Sequence, residues 1–312
     1  MTCWSCATDV AMGRTIIVDG KPTTRVRVWL SGIGLVGTGF LWLFCFLVGP
    51  LMALSVLAFA SRGDYGEVVW TFTIDNFWRM MGYDLFGWSS NNLLIILRSV
   101  VLAGTTTVLC LLLGFPLAFW IASRQPRWRG ILIALVMIPA CVNLVIRTYA
   151  WQLILGNQAP PAQFAQWCGL IPLDTALYPS SGAVYLGMIS AMLPFAVLPL
   201  YTSVERVDWS VVEAVRDLYG GSWRTFRHGI LSQTTPGLIA ATILTLIPSL
   251  GMFVVSDLLG GAKYMLVGNL IQQQFGAAAD WPFGAMLGVG LIIASLVSLL
   301  VLLRWGQREG AM

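Results

Sequence analysis

Residues 213–218 read Glu-Ala-Val-Arg-Asp-Leu, and Pro236-Gly237 opens an apolar run further on. Glu213, Arg216 and Asp217 put three charges into six residues, in a chain of which only 10% is charged. A soluble domain carries about 25%. The 312 residues are 57% hydrophobic, with a mean hydropathy of +0.79. Too few charges remain to solvate a globule of this size, so most of the chain must face lipid. The stretch is therefore a short charged helix in a loop between membrane spans. Such a loop can receive force from a soluble partner.

Working outward, apolar runs occupy roughly residues 28–60, 93–122, 131–153, 183–203, 236–256 and 284–304. Each is long enough to cross a hydrocarbon core about 30 Å thick as a helix rising about 1.5 Å per residue. The runs are continuously apolar rather than alternating, which favours helices over a barrel. The expected fold is all-α: a polytopic membrane protein with six transmembrane helices. Residues 1–27 read as a disordered tail, 28–304 as the membrane domain with a loop at 204–235, and 305–312 as a second tail.

Lys and Arg are retained on the cytoplasmic side of a membrane. With the N-terminus inside, the inner segments hold Arg14, Lys21, Arg25, Arg27, then Arg124, Arg127 and Arg129. They continue with Arg206, Arg216, Arg224, Arg227, Arg304 and Arg308. The outer loops hold only Arg62, Arg79 and Lys263. Both ends are expected in the cytoplasm, and topology accounts for the net charge of +4 without a nucleic-acid partner. Ala58-Phe59-Ala60 has the form of a signal-peptide end, but the apolar run before it is too long for one. Cys3 and Cys6 make a single C-x-x-C, two ligands where zinc takes four, so no metal site is expected.

Within the loop, Val211, Val212, Val215, Leu218 and Tyr219 recur at helical spacing. Arg216 lies three residues after Glu213, within reach of an ion pair. Gly220-Gly221 ends this helix, a second segment begins near Ser222, and Pro236 stands at a tolerated first-turn position of the fifth span. Prolines at 50, 116, 139, 194, 199 and 248 kink the spans, and the glycines of the first and sixth spans permit close packing. Charges inside a membrane are costly and informative. Arg147 is expected near the outer face in the third span and Asp257 at similar depth at the end of the fifth. Either they pair and tie two helices together, or they form a polar gate beside Asn143, Tyr149 and Trp151.

Taken together, Glu213-Ala214-Val215-Arg216-Asp217-Leu218, the following glycines and Pro236-Gly237 resemble the EAA loop of ABC-type importer membrane subunits. Further segments resemble the spermidine/putrescine permeases in order and spacing. These include Asp75-Asn76-Phe77, Gly114-Phe115-Pro116-Leu117-Ala118-Phe119 and Leu193-Pro194-Phe195. Val255-Ser256-Asp257-Leu258, Gly268-Asn269 and Asp280-Trp281-Pro282-Phe283 continue the series. Two positions depart: Tyr219 stands where the family has glycine, with Gly220 one place later, and Ser232 where it has proline. The resemblance implies the type I importer permease fold and a place in the bacterial inner membrane. It implies a dimer of ATPase subunits holding ATP and Mg, a second, homologous permease and a periplasmic polyamine-binding protein. It also implies ATPase coupling through Glu213, Ala214, Arg216, Asp217, Leu218 and Gly220. Asn143, Arg147, Tyr149, Trp151, Ser256, Asp257, Asp280 and Trp281 are the candidate substrate pathway.

The residues themselves agree with that division of labour. The only lysines are Lys21 and Lys263. Neither stands in a G-x-x-x-x-G-K-[ST] phosphate loop, so no cofactor is expected on this chain and ATP chemistry falls to another. A secondary transporter would carry coupling carboxylates near the bilayer midplane. An intramembrane hydrolase would need a buried base, and the one histidine, His228, is in the loop. An importer of another small solute is the remaining alternative. Reporter fusions test the topology. Those at Gln125 and Ser210 are expected to read cytoplasmic, and those at Gly66, Ala162 and Ala277 periplasmic. A periplasmic signal at Ser210 would place the charged helix on the wrong side.

Overall fold

The computed structural model describes residues 17–18, 21–22, 25–63, 66–84, 87–169, 172, 176–261 and 264–309. Cys3 and Cys6, and most of the tail expected over 1–27, lie outside the described residues. The chain comprises two units, Met1–Val56 and Leu57–Met312. In the first, strands β1 (Ile17–Val18) and β2 (Lys21–Pro22) pair antiparallel. Helix α1 (Arg25–Ala58) follows, and its Gly39–Ala58 portion has a mean hydropathy of 2.3.

The second unit begins with a connector in which β3 (Ser61–Arg62) pairs with β4 (Val68–Val69). Helix α2 (Asp75–Met80) comes next, then the pair β5 (Tyr83–Asp84) and β6 (Gly87–Trp88). The buried amide of Asn76 donates to the carbonyls of Ala58 and Ala60, at 2.9 and 2.8 Å, and ties α2 to the end of the first span. Then come α3 (Asn91–Ala122), α4 (Pro126–Cys141), α5 (Leu144–Ile154) and α6 (Pro160–Trp167). After α7 (Ser181–Glu205) and α8 (Trp209–Tyr219), the chain turns into α9 (Ser222–Thr225), a π-helical turn (Phe226–Leu231) and α10 (Ser232–Gly251). Helices α11 (Val254–Gly260), α12 (Val267–Phe275) and α13 (Trp281–Glu309) complete it.

Helices α3, α7 and α10 pack on one another and form the core. One cluster gathers Cys110, Ala118, Ile121, Ala191, Ala196, Leu200 and Ala241. A second, toward the other end, joins Leu102, Val184 and Met188 to Val255, Leu259 and Leu266. Lipid tails are as apolar as leucine, so close backbone approach must supply the attraction between spans. Gly237 provides it: a Cβ there would lie 2.7 Å from the carbonyl oxygen of Pro199 and against Ser203 on α7. Gly187 does the same for α11, with Leu259 and Val255 at 2.6 and 2.7 Å from such a Cβ. Two buried hydroxyls bond back along their own helices, Thr107 to the carbonyl of Ala103 and Thr245 to that of Ala241.

Among the described residues, five helices are long and apolar enough to span a membrane, six if α4 and α5 count as one. The expected third span is not continuous. It breaks at Val142-Asn143, and the two halves meet at 90°. Pro139 weakens the end of α4, Val142 is extended, and the Asn143 side chain accepts from the Val145 amide at 2.8 Å to start α5. The fifth span also differs. Its helical run starts at Ser222 and ends at Gly251, so Pro236 lies inside it rather than at its first turn, and Asp257 sits beyond it on α11. The sixth span continues to Glu309, into the expected tail.

Gly237→Ala is expected to lower stability by about 1–3 kcal/mol, because neither Pro199 nor its backbone can yield. Gly130→Ala, on α4 with open space about it, is expected to have no such effect. Thermal melting of the intact chain in detergent measures both.

Candidate functional site

Helix α8 projects where α3 and α7 end. Its start is fixed by Asp208, whose carboxylate accepts from the Ser210 amide at 2.9 Å and from the Ser210 hydroxyl at 2.8 Å. Those bonds, the hydroxyl's first, hold the Asp208 carboxyl below the ordinary carboxylate range. Its end is fixed by Gly220, at φ +65°, a left-handed conformation that favours glycine. The turn expected from Gly220-Gly221 is therefore present one place after Tyr219.

Gln233 holds α8 against the π-helical turn. Its side-chain oxygen accepts from the Asp208 amide at 2.9 Å. Its nitrogen donates to the Asp208 carbonyl at 3.3 Å and to the Gly229 carbonyl at 2.7 Å. One carboxamide thus satisfies both backbone groups of the capping residue and a carbonyl of the π turn. Val212 is buried over Gly229, where a Cβ would meet the Val212 Cα at 3.4 Å. Sequence reading missed Gln233. Its only signal was a lone carboxamide one turn before the apolar run.

The remainder of α8 faces outward. Glu213, Ala214, Arg216 and Asp217 are exposed, and Leu218 is 80% exposed. Leu218 therefore does not belong to a buried face, and the expected Glu213–Arg216 ion pair is absent: among the described residues, neither makes one. Two carboxylates with no ion pair among the described residues, Glu213 and Asp217, precede an uncovered leucine on a helix pinned at both ends. That surface can enter a complementary cleft with little loss of conformational entropy.

At the opposite end of the bundle, α11, α12 and the residues that adjoin them line an open cavity of about 540 Å³. Asp257, Tyr264, Asn269, Gln272 and Gln273 supply its polar lining, and Met265 part of its apolar wall. Asp257 is exposed and makes no ion pair among the described residues. Arg147 does not reach it. The Arg147 guanidinium donates instead to the Pro139 carbonyl at 2.7 Å, closing the broken end of α4. The pair expected as one alternative is therefore not formed.

The other candidates divide. Asn143 caps α5, and Tyr149 and Trp281 are exposed. Trp151 donates to the Ser190 hydroxyl at 2.9 Å and packs in the second core cluster. Ser256 is buried and bonds to Asn269, fastening α11 to α12. Asp280 is only 2% exposed. It pairs with Arg79 at 3.0 Å, lies 3.9 Å from Arg62 and accepts from the Phe283 amide at 3.2 Å, so it latches the connector to the start of α13. Of the carboxylates expected at this end, Asp257 alone faces a cavity with no cation beside it among the described residues. Tyr264, Gln272 and Gln273 were missed because they lie in no apolar run.

The backbone is a bundle of helices long and apolar enough to span a membrane. It superposes on a chain from the crystal structure of a bacterial ABC transporter involved in the import of the acidic polysaccharide alginate. The TM-score is 0.67 at 16% identity, covering 90% of this chain and 96% of that one. No family model matches the sequence. Individual proteins do. Spermidine/putrescine transport system permease protein PotB of Escherichia coli (strain K12) is 35% identical over 264 residues, 85% of this chain and 93% of its own. Inner membrane ABC transporter permease protein YdcU of the same organism is 30% identical over 306 residues, 90% of this chain and 95% of its own. The chain belongs to this family of ABC importer permease subunits.

Replacing Gln233 by Met removes the three bonds at nearly constant volume. Amide exchange over residues 209–219 is expected to quicken about fivefold, the equivalent of about 1 kcal/mol, with residues 238–251 unchanged. Lowering the pH from 7 to 5 is expected to leave α8 intact. A carboxyl whose folded pKa is depressed stabilises above its ordinary value, 3.8, and loses that contribution only as pH falls through the folded one. Hydrogen exchange read by mass spectrometry measures both.

Proposed function

We propose that this permease forms part of the pathway of an ATP-driven polyamine importer of the bacterial inner membrane, with spermidine or putrescine as cargo. The observation that carries the cargo is the 35% identity, spread over 85% of the chain, with a protein named for spermidine/putrescine transport. The Asp257 cavity supports it. A polycation is held by carboxylates and aromatic faces, and Asp257 and Tyr264 supply one of each with no competing cation among the described lining. Asp280, neutralised by Arg79, does not act on cargo.

Energy enters at the other end. An ATPase dimer receives α8 in a surface cleft, with Glu213, Ala214, Asp217 and Leu218 inside it. A second, homologous permease completes the pathway, and a periplasmic binding protein delivers the polyamine. Both termini of this chain are cytoplasmic, which puts α8 on the side of ATP and Asp257 on the side of the binding protein. Closure of the ATPase dimer on ATP draws α8 inward and opens the cavity outward. Hydrolysis resets it.

ATP-driven uptake into membrane vesicles, with co-purification of the ATPase, tests both ends. Glu213→Arg is expected to lose both the ATPase and uptake. Asp257→Asn is expected to keep the ATPase and cut uptake of labelled spermidine or putrescine at least tenfold, the equivalent of about 1.4 kcal/mol. Normal polyamine uptake by Asp257→Asn would remove Asp257 from the pathway. Uptake of some other solute but no polyamine by the wild type would overturn the cargo.

A further inference from the structure

The last three turns of α3 form one wall of a groove of about 640 Å³. Its sides are Phe115, Pro116, Phe119 and Trp120, with Phe226 of the π-helical turn facing them. Phe115 and Phe226 meet edge to face at 5.9 Å. Two polar residues, Ser123 and Arg124, close one end. The order follows the helix: apolar from Phe115 to Trp120, then a hydroxyl, then a cation about 13 Å along the axis from Phe115. Arg124 lies over the Trp120 ring at 4.5 Å and makes no ion pair among the described residues. Arg129, whose Nε donates to the Arg124 carbonyl at 2.8 Å, is paired with the Glu205 carboxylate at 3.2 Å. Among the described residues, no acidic residue lines the groove.

We propose that this groove holds one anionic phospholipid, with its phosphate on Arg124 and an acyl chain along Phe115, Phe119 and Phe226. The gradient from apolar to cationic runs in the same sense as that of a lipid molecule, from tail to headgroup. It lies at the end of a membrane span, where headgroups are, and indole rings favour that depth. An arginine there attracts anionic lipid and has no competing carboxylate among the described residues. The occupant would touch both sides of a joint. Phe119 also meets Trp209 of α8 at 6.2 Å, and Phe226 stacks on Trp223 at 5.8 Å. Binding therefore reports on the seating of α8 without depending on which cargo is carried.

Native mass spectrometry of the full chain, with phosphatidylglycerol and phosphatidylcholine as probes, tests the site. The wild type is expected to retain one phosphatidylglycerol in preference to phosphatidylcholine. Arg124→Gln is expected to weaken that lipid about fivefold and leave phosphatidylcholine unchanged. Arg124→Lys keeps the preference, and Arg127→Gln, on the adjacent surface, does not alter it. Equal retention of the two lipids by the wild type overturns the proposal, as do equal losses in Arg124→Gln and Arg127→Gln. So does cross-linking of Ser123→Cys to a second polypeptide in place of a bound phosphatidylglycerol, which would give the groove to a protein.

Discussion

Close approach of backbones on α7 is the constraint on which the rest of the second unit depends. Helices α3, α5, α10 and α11 all pack on that one helix. In lipid there is no hydrophobic gain in bringing them together, so contact must come from shape. Gly237 lets α10 lie against Pro199, Gly187 lets α11 lie across α7, and Gly114 takes Leu200, whose nearest methyl would be 3.2 Å from a Cβ. Helix α8 hangs from the end of the same helix after a three-residue turn, so its position inherits this packing.

The architecture was legible in the sequence to the extent that lipid dictates it. Long apolar runs with charged borders gave the spans, because a bilayer admits few other solutions. What lipid does not dictate was not legible. The break at Val142-Asn143 falls within an apolar run, and hydropathy has no means of registering a right-angle turn. The local chemistry was present, with Pro139 weakening one helix and Asn143 able to cap the next, but each residue is also compatible with a kinked, continuous span. Pro236 misled in the same way. A first-turn proline and a proline tolerated inside a helix look alike until the residues upstream are placed.

Charges told the same story at the site. The sequence marks Asp257 and Asp280 alike, as acids close to membrane ends. Only the fold separates them, because the partners of Asp280 are the distant Arg79 and Arg62. A pair between Arg147 and Asp257 is one of two arrangements the sequence allows, yet the carbonyl that Arg147 serves, that of Pro139, is eight residues away on its own broken span. The charged helix was the reverse case. Its end follows from Gly220-Gly221, a local signal that sequence carries well, whereas its start at Asp208 shows only in the fold. Its anchoring by Gln233 is not legible either, since a carboxamide can bond almost any backbone it meets.

The run from Ser222 to Gly251 is unbroken, and it stops at two non-helical residues, Met252 and Phe253, before α11 starts. In mechanical terms that is a lever with a pivot at its far end. Twenty residues of α10 make an arm about 30 Å long, so a tilt of about 10° moves its tip sideways by about 5 Å. The glycine contact at Gly237 lies about 21 Å from that pivot, toward the driven end, where displacement is large, so its close fit to Pro199 must move with α7. The cavity wall carrying Asp257 lies just past the pivot, where displacement is small, and Gly268 seats α12 against the carbonyl of Gly251 at the arm's end.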